Sequence, residues 1–167
     1  MYLANDVYYL ANNTAKSVSL IFDDWEAEAP VAVEEVWVND IAPYEPGSFY
    51  KRELPCILKV LEKTDLNSLS AIIVDGYVIL DDEGKKGLGA YLYEALDGKI
   101  PVIGVAKRSF HQNQKNVIEV TRGESLNPLY VTSMGTDLQE AANNIKRMKG
   151  DFRMPTLLKL LDAKTRE

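Results

Sequence analysis

Histidine and cysteine are almost missing from this chain, one of each in 167 residues, His111 and Cys56. A single cysteine rules out an internal disulfide and suits a reducing compartment. A single histidine, with no second histidine or cysteine at ligand spacing, argues against a zinc site. Long apolar runs are missing too: none approaches the roughly 20 residues that a membrane helix needs. The start, Met1-Tyr2-Leu3-Ala4-Asn5-Asp6, has no basic n-region of a signal peptide, so the expected location is the cytoplasm, away from membranes. Positive charge is in short supply. Nineteen Lys and Arg against 25 Asp and Glu leave a formal charge of −6, which argues against a generic nucleic-acid coat protein but says nothing about any one face. No repeat, low-complexity stretch or linker divides the sequence, and one domain over residues 1–167 is the simplest reading.

What the chain does have is buried-strand patterns that end on reactive side chains. Ser70-Ala71-Ile72-Ile73-Val74-Asp75-Gly76-Tyr77 runs four apolar residues into a carboxylate and a glycine, the pattern of a strand covered on both faces. Functional groups in α/β sheets gather where strands end, because loops there open a crevice on a rigid base. Asp75 is thereby presented at a fixed place, and Gly76 lacks the side chain that would hold a ligand off the backbone. Asp and Gly are also common turn formers. Taken alone, that plainer reading wins.

Residues 1–9, 16–22 and 31–38 read as three strands of an antiparallel meander, the first two joined at Ala11-Asn12-Asn13-Thr14. Asp6 falls within the first. A lone Asp in a strand is unfavourable, so it faces solvent or does chemistry, and on residue type alone solvent is preferred. Residues 42–49 hold Pro43, Pro46 and Gly47 and cannot be regular; Tyr44 there is either held out on a stiff tip or packed onto the core. A helix is expected from Ser48, with Leu54, Ile57, Leu58 and Leu61 at helical spacing and Pro55 in its early turns. Glu53 lies near its head, where an acidic residue commonly complements the helix dipole. Gly87-Leu88-Gly89 leads a second helix running to Leu96, and the paired glycines would let backbone N–H groups approach an anion or a base edge; Gly-x-Gly by itself is a weak signal. Residues 100–106 form another buried strand with Lys107 just past its end. Shorter strands follow at 117–120 and 129–132. Asp137 caps a helix that Gly150 ends, and a last helix after Pro155 carries Asp162 near its end.

Three strands, then alternating helices and strands, is the order of a ribonuclease H-like α/β fold, in which a mixed sheet joins an antiparallel meander to parallel strands. The first strand of such a sheet lies beside the first parallel one, which would make Asp6 and Asp75 neighbours. Adding Glu53 and Asp162 to that crevice brings like charges together and demands compensation. Oxygen donors without His or Cys select Mg²⁺ or Mn²⁺. Ions of this kind activate water and neutralise charge on a phosphoryl group, and nucleases often use two of them roughly 3.5–4 Å apart. Lys107 could hold the phosphate or orient water.

These residues resemble the endonuclease V family over nearly the whole chain. Asp6-Val7-Tyr8-Tyr9 is similar to its first-strand motif, and Pro43-Tyr44-Glu45-Pro46-Gly47 with Phe49, Arg52, Glu53, Leu54 and Pro55 to its wedge loop and helix entry. Val74-Asp75-Gly76, Gly87-Leu88-Gly89-Ala90-Tyr91-Leu92, residues 101–107, residues 127–131 and Arg153-Met154-Pro155-Thr156 continue the pattern in order. The resemblance implies an Mg²⁺-dependent endonuclease, with Mn²⁺ as a substitute, cutting DNA at the second phosphodiester bond 3′ to deoxyinosine. It implies Asp6 and Asp75 as metal ligands, Glu53 as a ligand through water, Asp162 near the metal and Lys107 near the scissile phosphate. Pro43, Tyr44, Pro46 and Gly47 would form the wedge that fills the gap left when the base rotates out. Gly76, Gly87, Gly89 and Tyr91 would border the pocket that receives it. An inosine-directed endoribonuclease, or a nucleic-acid-binding member with little turnover, is the alternative. Three departures bear on that choice: the chain starts almost at the first catalytic strand, so a smaller nucleic-acid footprint is expected; Tyr91 stands where many members have histidine; and Glu45 puts a negative charge in the wedge.

Overall fold

The computed structural model describes residues 1–167. Its centre is a seven-stranded sheet in the order β3-β2-β1-β4-β5-β7-β6, formed by β1 (Tyr2–Leu10), β2 (Thr14–Phe22), β3 (Ala32–Val38), β4 (Ala71–Asp75), β5 (Val102–Ala106), β6 (Ile118–Val120) and β7 (Leu129–Met134). β1, β2 and β3 pair antiparallel, β4 and β5 run parallel to β1, and β7 returns antiparallel against β5. This is the ribonuclease H-like arrangement the element order implies. Asn12 and Asn13, at φ 64° and 55°, turn the chain between β1 and β2, a conformation asparagine tolerates better than most residues.

Alternation along the strands gives each face its own core. On one face Ala4, Val18, Leu20, Phe22, Ile73, Ile103 and Val105 pack under α3 (Leu138–Arg147) and α4 (Thr156–Thr165), against Ala141, Ile145, Leu157 and Leu161. On the other, Leu3, Val7, Ile72, Val74 and Val102 pack under α1 (Tyr50–Leu61) and α2 (Leu88–Ala95), against Cys56, Ile57, Leu88 and Leu92. Burying each large aliphatic side chain contributes about 1.5–3 kcal/mol, so both helical layers are firmly seated. No helix is long and apolar enough to cross a membrane.

Several strand ends shift by one or two residues from the sequence expectation, and two helix ends shift for local reasons. α1 starts at Tyr50 rather than Ser48, because the residues before it are bonded in tighter turns, Lys51 N–H to the Ser48 carbonyl and Arg52 N–H to that of Phe49. α3 stops at Arg147, ahead of Gly150, where the buried Arg122 guanidinium draws the Lys146, Met148 and Gly150 carbonyls to itself. Asp137 does cap α3, its carboxylate accepting from Glu140 N–H at 3.0 Å.

Candidate active site

β1 outruns its parallel partner. The last pair of the β1–β4 ladder is Asn5 with Val74, so the next residue on each strand, Asp6 and Asp75, stand side by side where β4 ends. Strand parity sends both to the α3/α4 face. Here a solvent-open crevice of about 370 Å³ is lined by Asp6, Asp75, Lys107 and Asp162 over a floor of Ala4, Ile73, Val105, Met154 and Leu158. Lys107 follows β5 directly, and Asp162 comes down from the second turn of α4. The solvent-facing reading of Asp6 is overturned: it is half-buried and lines the crevice.

The charges in this crevice are unhappy with one another. Burial, then the Asp75 charge, push the Asp6 carboxyl up from 3.8 to about 7, with Asp162 adding to the shift. The Val7 N–H, donating to Asp6 Oδ1 at 2.9 Å, and the Lys107 ammonium hold it down. Asp75 is exposed at the strand end, yet the crevice walls crowd its carboxyl and raise its pKa; Lys107 opposes that rise and Asp162 reinforces it.

Glu53 arrives from the other layer. It sits in the first turn of α1, only 4% exposed, and does not line the crevice. Burial lifts its pKa far above the usual range, and the Asp75 and Asp6 charges lift it further. Tyr9 stands close enough to favour the carboxylate but makes no hydrogen bond of good geometry, and the Arg52 guanidinium lies 3.9 Å from the centre of the Tyr9 ring. All four carboxylates therefore collect at one edge of the sheet, three on one side of it and one on the other.

No three acidic side chains converge closely enough to cage an ion unaided. The donor set nevertheless fits a hard divalent cation. Its donors are all oxygen, and magnesium characteristically takes one or two carboxylates and completes its shell with water and phosphate. Carboxyl groups forced upward by burial and mutual repulsion are also those that a cation relieves.

The remaining sequence candidates lie around this edge. Tyr44 is 61% exposed on the loop between β3 and α1, flanked by exposed Pro43 and Pro46, so the core-packed reading fails. Gly47 turns the chain at φ +79°, and Glu45 forms an exposed ion pair with Lys51 at 3.6 Å. Gly76 has φ +137° and open space where a side chain would start, so no side chain stands beside Asp75 there, while its own N–H is given to the Val105 carbonyl at 3.0 Å. Gly87 and Gly89 require correction. Their N–H groups are already bonded to the Val78 and Tyr77 carbonyls, and a Cβ on either would come within 2.5 Å of the 77–78 segment. They are glycine so that α2 can pack tightly there, and neither amide is free for an anion or a base edge. Tyr91 stacks on Tyr50 with ring centres 3.7 Å apart.

Sequence reasoning passed over three residues. Arg122 is 5% exposed and donates to five carbonyls, those of Lys146, Met148, Gly150, Phe152 and Arg153. Arg153 donates to the Pro128 carbonyl at 2.7 Å and to that of Lys107. Phe152, between them, is 65% exposed. Nothing in the local sequence around Arg122 marks it as buried; Arg153 belongs to a motif whose purpose the motif does not reveal.

Comparison with known proteins agrees with this geometry. The family model for endonuclease V matches residues 3–124. Endonuclease V of Saccharolobus islandicus and that of Saccharolobus solfataricus are each 31% identical over 134 residues, covering 75% of this chain and 62% of theirs; the chain thus spans under two thirds of the length of these relatives. Among solved structures, endonuclease V from Streptomyces avermitilis superposes with a TM-score of 0.77 at 22% identity, covering 99% of this chain and 79% of that one. Ciona intestinalis endonuclease V, in complex with a DNA containing an inosine followed by a ribo-adenosine, gives 0.79 at 18% identity, covering 99% and 83%. At those identities the structures speak for the fold. The family model, spanning both strands that bring Asp6 and Asp75 together, speaks for descent: this chain belongs to the endonuclease V family.

Proposed function

We propose that this chain is an Mg²⁺-dependent endonuclease that hydrolyses the second phosphodiester bond 3′ to deoxyinosine in DNA. The observation that carries the reading is the pairing of Asp6 with Asp75 at the end of β4, in an open crevice shared with Lys107 and Asp162. The Ciona relative's complex with inosine-containing DNA supports the substrate class. In this reading Asp6 and Asp75 hold the cation directly, and Mn²⁺ substitutes for Mg²⁺. Glu53, from the far side of the sheet edge, acts through water. A divalent ion so held makes water a better nucleophile and offsets charge gathering on the phosphate oxygens. Lys107 supplies a positive charge at the strand end for the scissile phosphate, and Asp162 fixes the water side of the crevice. Tyr44, exposed between two prolines, enters the stack as the target base leaves it.

The test is Mg²⁺-dependent nicking of a duplex with one deoxyinosine. Wild-type protein cuts it and spares the undamaged duplex; Asp6→Asn and Asp75→Asn reduce cutting to background while retaining the fold. Replacing the inosine strand by RNA separates the endoribonuclease alternative. Cutting that survives both substitutions, or that ignores the lesion, would refute the proposal.

A further inference from the structure

Phe152 is a large apolar side chain left 65% exposed on a backbone held unusually firmly. Its carbonyl accepts from Arg122 Nη1 at 2.6 Å, and the next residue is tied through Arg153 to the Pro128 and Lys107 carbonyls. Gly123 has no side chain where a Cβ would come within 2.2 Å of the Asp151 carbonyl, so the chain on the other side is pressed against this loop. A buried arginine with no carboxylate partner is a costly way to fix a loop. A ring held rigidly in water is already arranged to bind something.

The surroundings say what. An open groove of about 740 Å³ runs from the ring to the carboxylate crevice, and Lys107, Met154, Leu158 and Asp162 line both. Three of its residues, Lys107, Arg153 and Lys159, are cationic against the single carboxylate of Asp162, in a chain whose formal charge is −6. Lys159 Nζ lies 4.5 Å from the Phe152 ring centre, so an ammonium and an exposed aromatic ring stand together in the same groove. Asp151 and Glu124 lie beyond the ring, outside the groove, which confines phosphates to its lysine side. An aromatic face beside a line of cations is how unpaired nucleic acid is bound without regard to sequence.

We propose that this groove is a second nucleic-acid subsite: an unpaired nucleotide of the DNA strand being cut stacks its base on the exposed Phe152 ring and sets its phosphate against Lys159. The occupant, though not the groove, rests on the nuclease reading above. Phe152 lies just before α4 on one face of the sheet, whereas Tyr44 lies just before α1 on the other. The strand therefore crosses the sheet edge, held by an aromatic on either side of the scissile phosphate, with Phe152 on the side away from the wedge.

Binding without divalent cation tests this independently of cutting. The probe is single-stranded DNA carrying 2-aminopurine, whose fluorescence falls on stacking. Phe152→Ala weakens binding roughly 5- to 150-fold, the range for loss of one stacked base, and abolishes the quenching that the probe shows on wild-type protein. Phe152→Trp keeps the affinity within about twofold. Lys159→Gln flattens the dependence of log Kd on log salt by about 0.7, as expected for one phosphate contact to a single strand. Unchanged binding by Phe152→Ala, an equal loss in Phe152→Trp, or no binding by wild-type protein would overturn the subsite. Wild-type protein that fails to cut inosine DNA but shows these binding differences would sink the nuclease reading and leave the groove standing.

Discussion

Two loops lead into the two helices that bring Asp162 and Glu53 to the site, α4 and α1, and they are built in opposite ways. Residues 148–155, ahead of α4, have four backbone carbonyls bound by Arg122, which also takes that of Lys146 in α3, and a further anchor through Arg153. Residues 39–49, ahead of α1, are held by Ile41 N–H to the Asn13 carbonyl at 3.1 Å, Ser48 N–H to the Glu45 carbonyl at 3.0 Å and one exposed ion pair. Residues 42–47 are exposed throughout. Opening the first loop breaks charge-assisted, water-shielded bonds; opening the second breaks few that water cannot replace. One side of the site is a fixed platform. The other presents an exposed aromatic whose position can adjust.

Breaking the platform should have the largest effect. Arg122→Met removes a fork of donors and strands carbonyls in the interior, a loss of about 3–5 kcal/mol. For a chain of this size that lowers Tm by roughly 10–15 °C, measurable by calorimetry or by the urea midpoint. Arg122→Lys should rescue little, because one ammonium with three donors cannot span five acceptors. A Tm within a degree or two of wild type for Arg122→Met would erase the contrast between the loops.

The carboxylates sharpen the comparison at intermediate size. Asp6 keeps its proton in the folded state up to about pH 7, whereas the unfolded chain releases it near 3.8. A raised carboxyl pKa means that the native state binds the extra proton, so its contribution to stability is complete below about pH 4 and is lost as pH rises through 7. Metal-free protein should therefore become less stable from pH 4 to pH 7.5, by up to about 4 kcal/mol from this group. Asp6→Asn should be more stable than wild type at pH 8 without metal, and Glu53→Gln should shift the same way, because its carboxyl is buried beside the same charges. Millimolar Mg²⁺ should raise the Tm of wild type at pH 8 by mass action on the folded state, and chelation should reverse it. The gain should shrink in Asp6→Asn. A flat pH profile, or an equal Mg²⁺ response in both proteins, would mean that these groups do not share one ion.

Much of this was legible in the sequence, and the gaps have a pattern. The strand-ending carboxylate at Asp75 and the meander bearing Asp6 were readable because a short continuous apolar run marks a buried strand and an alternating one a half-buried strand, and the order of the elements fixes which strands are neighbours. The face of Asp6 was not, since a one-residue difference in strand length decides whether it is covered or bared, and only the β1–β4 register shows β4 stopping first. Gly87 and Gly89 misled because a glycine required for close packing looks the same in sequence as one required for a ligand. Arg122 was invisible: its partners are backbone carbonyls, which carry no residue identity. Where a contact is between side chains of recognisable type, sequence can announce it; where one partner is main chain, folding must reveal it.

The smallest expected effect tests the adjustable side. Tyr44 is 61% exposed and has no role in the core, so Tyr44→Ala should change stability by less than about 0.5 kcal/mol. If its ring takes the place of the displaced base, the same variant should lose most of its preference for inosine over undamaged duplex, while its Mg²⁺ response stays that of wild type. Loosening the loop should separate motion from chemistry. Glu45→Arg would place a cation beside Lys51 where an ion pair now holds the loop, loosening it and bringing positive charge toward the phosphates. Should Tyr44→Ala melt early, the loop is packed more firmly than its contacts indicate; should it discriminate normally, the stack is filled by another side chain and the two loops differ in rigidity alone.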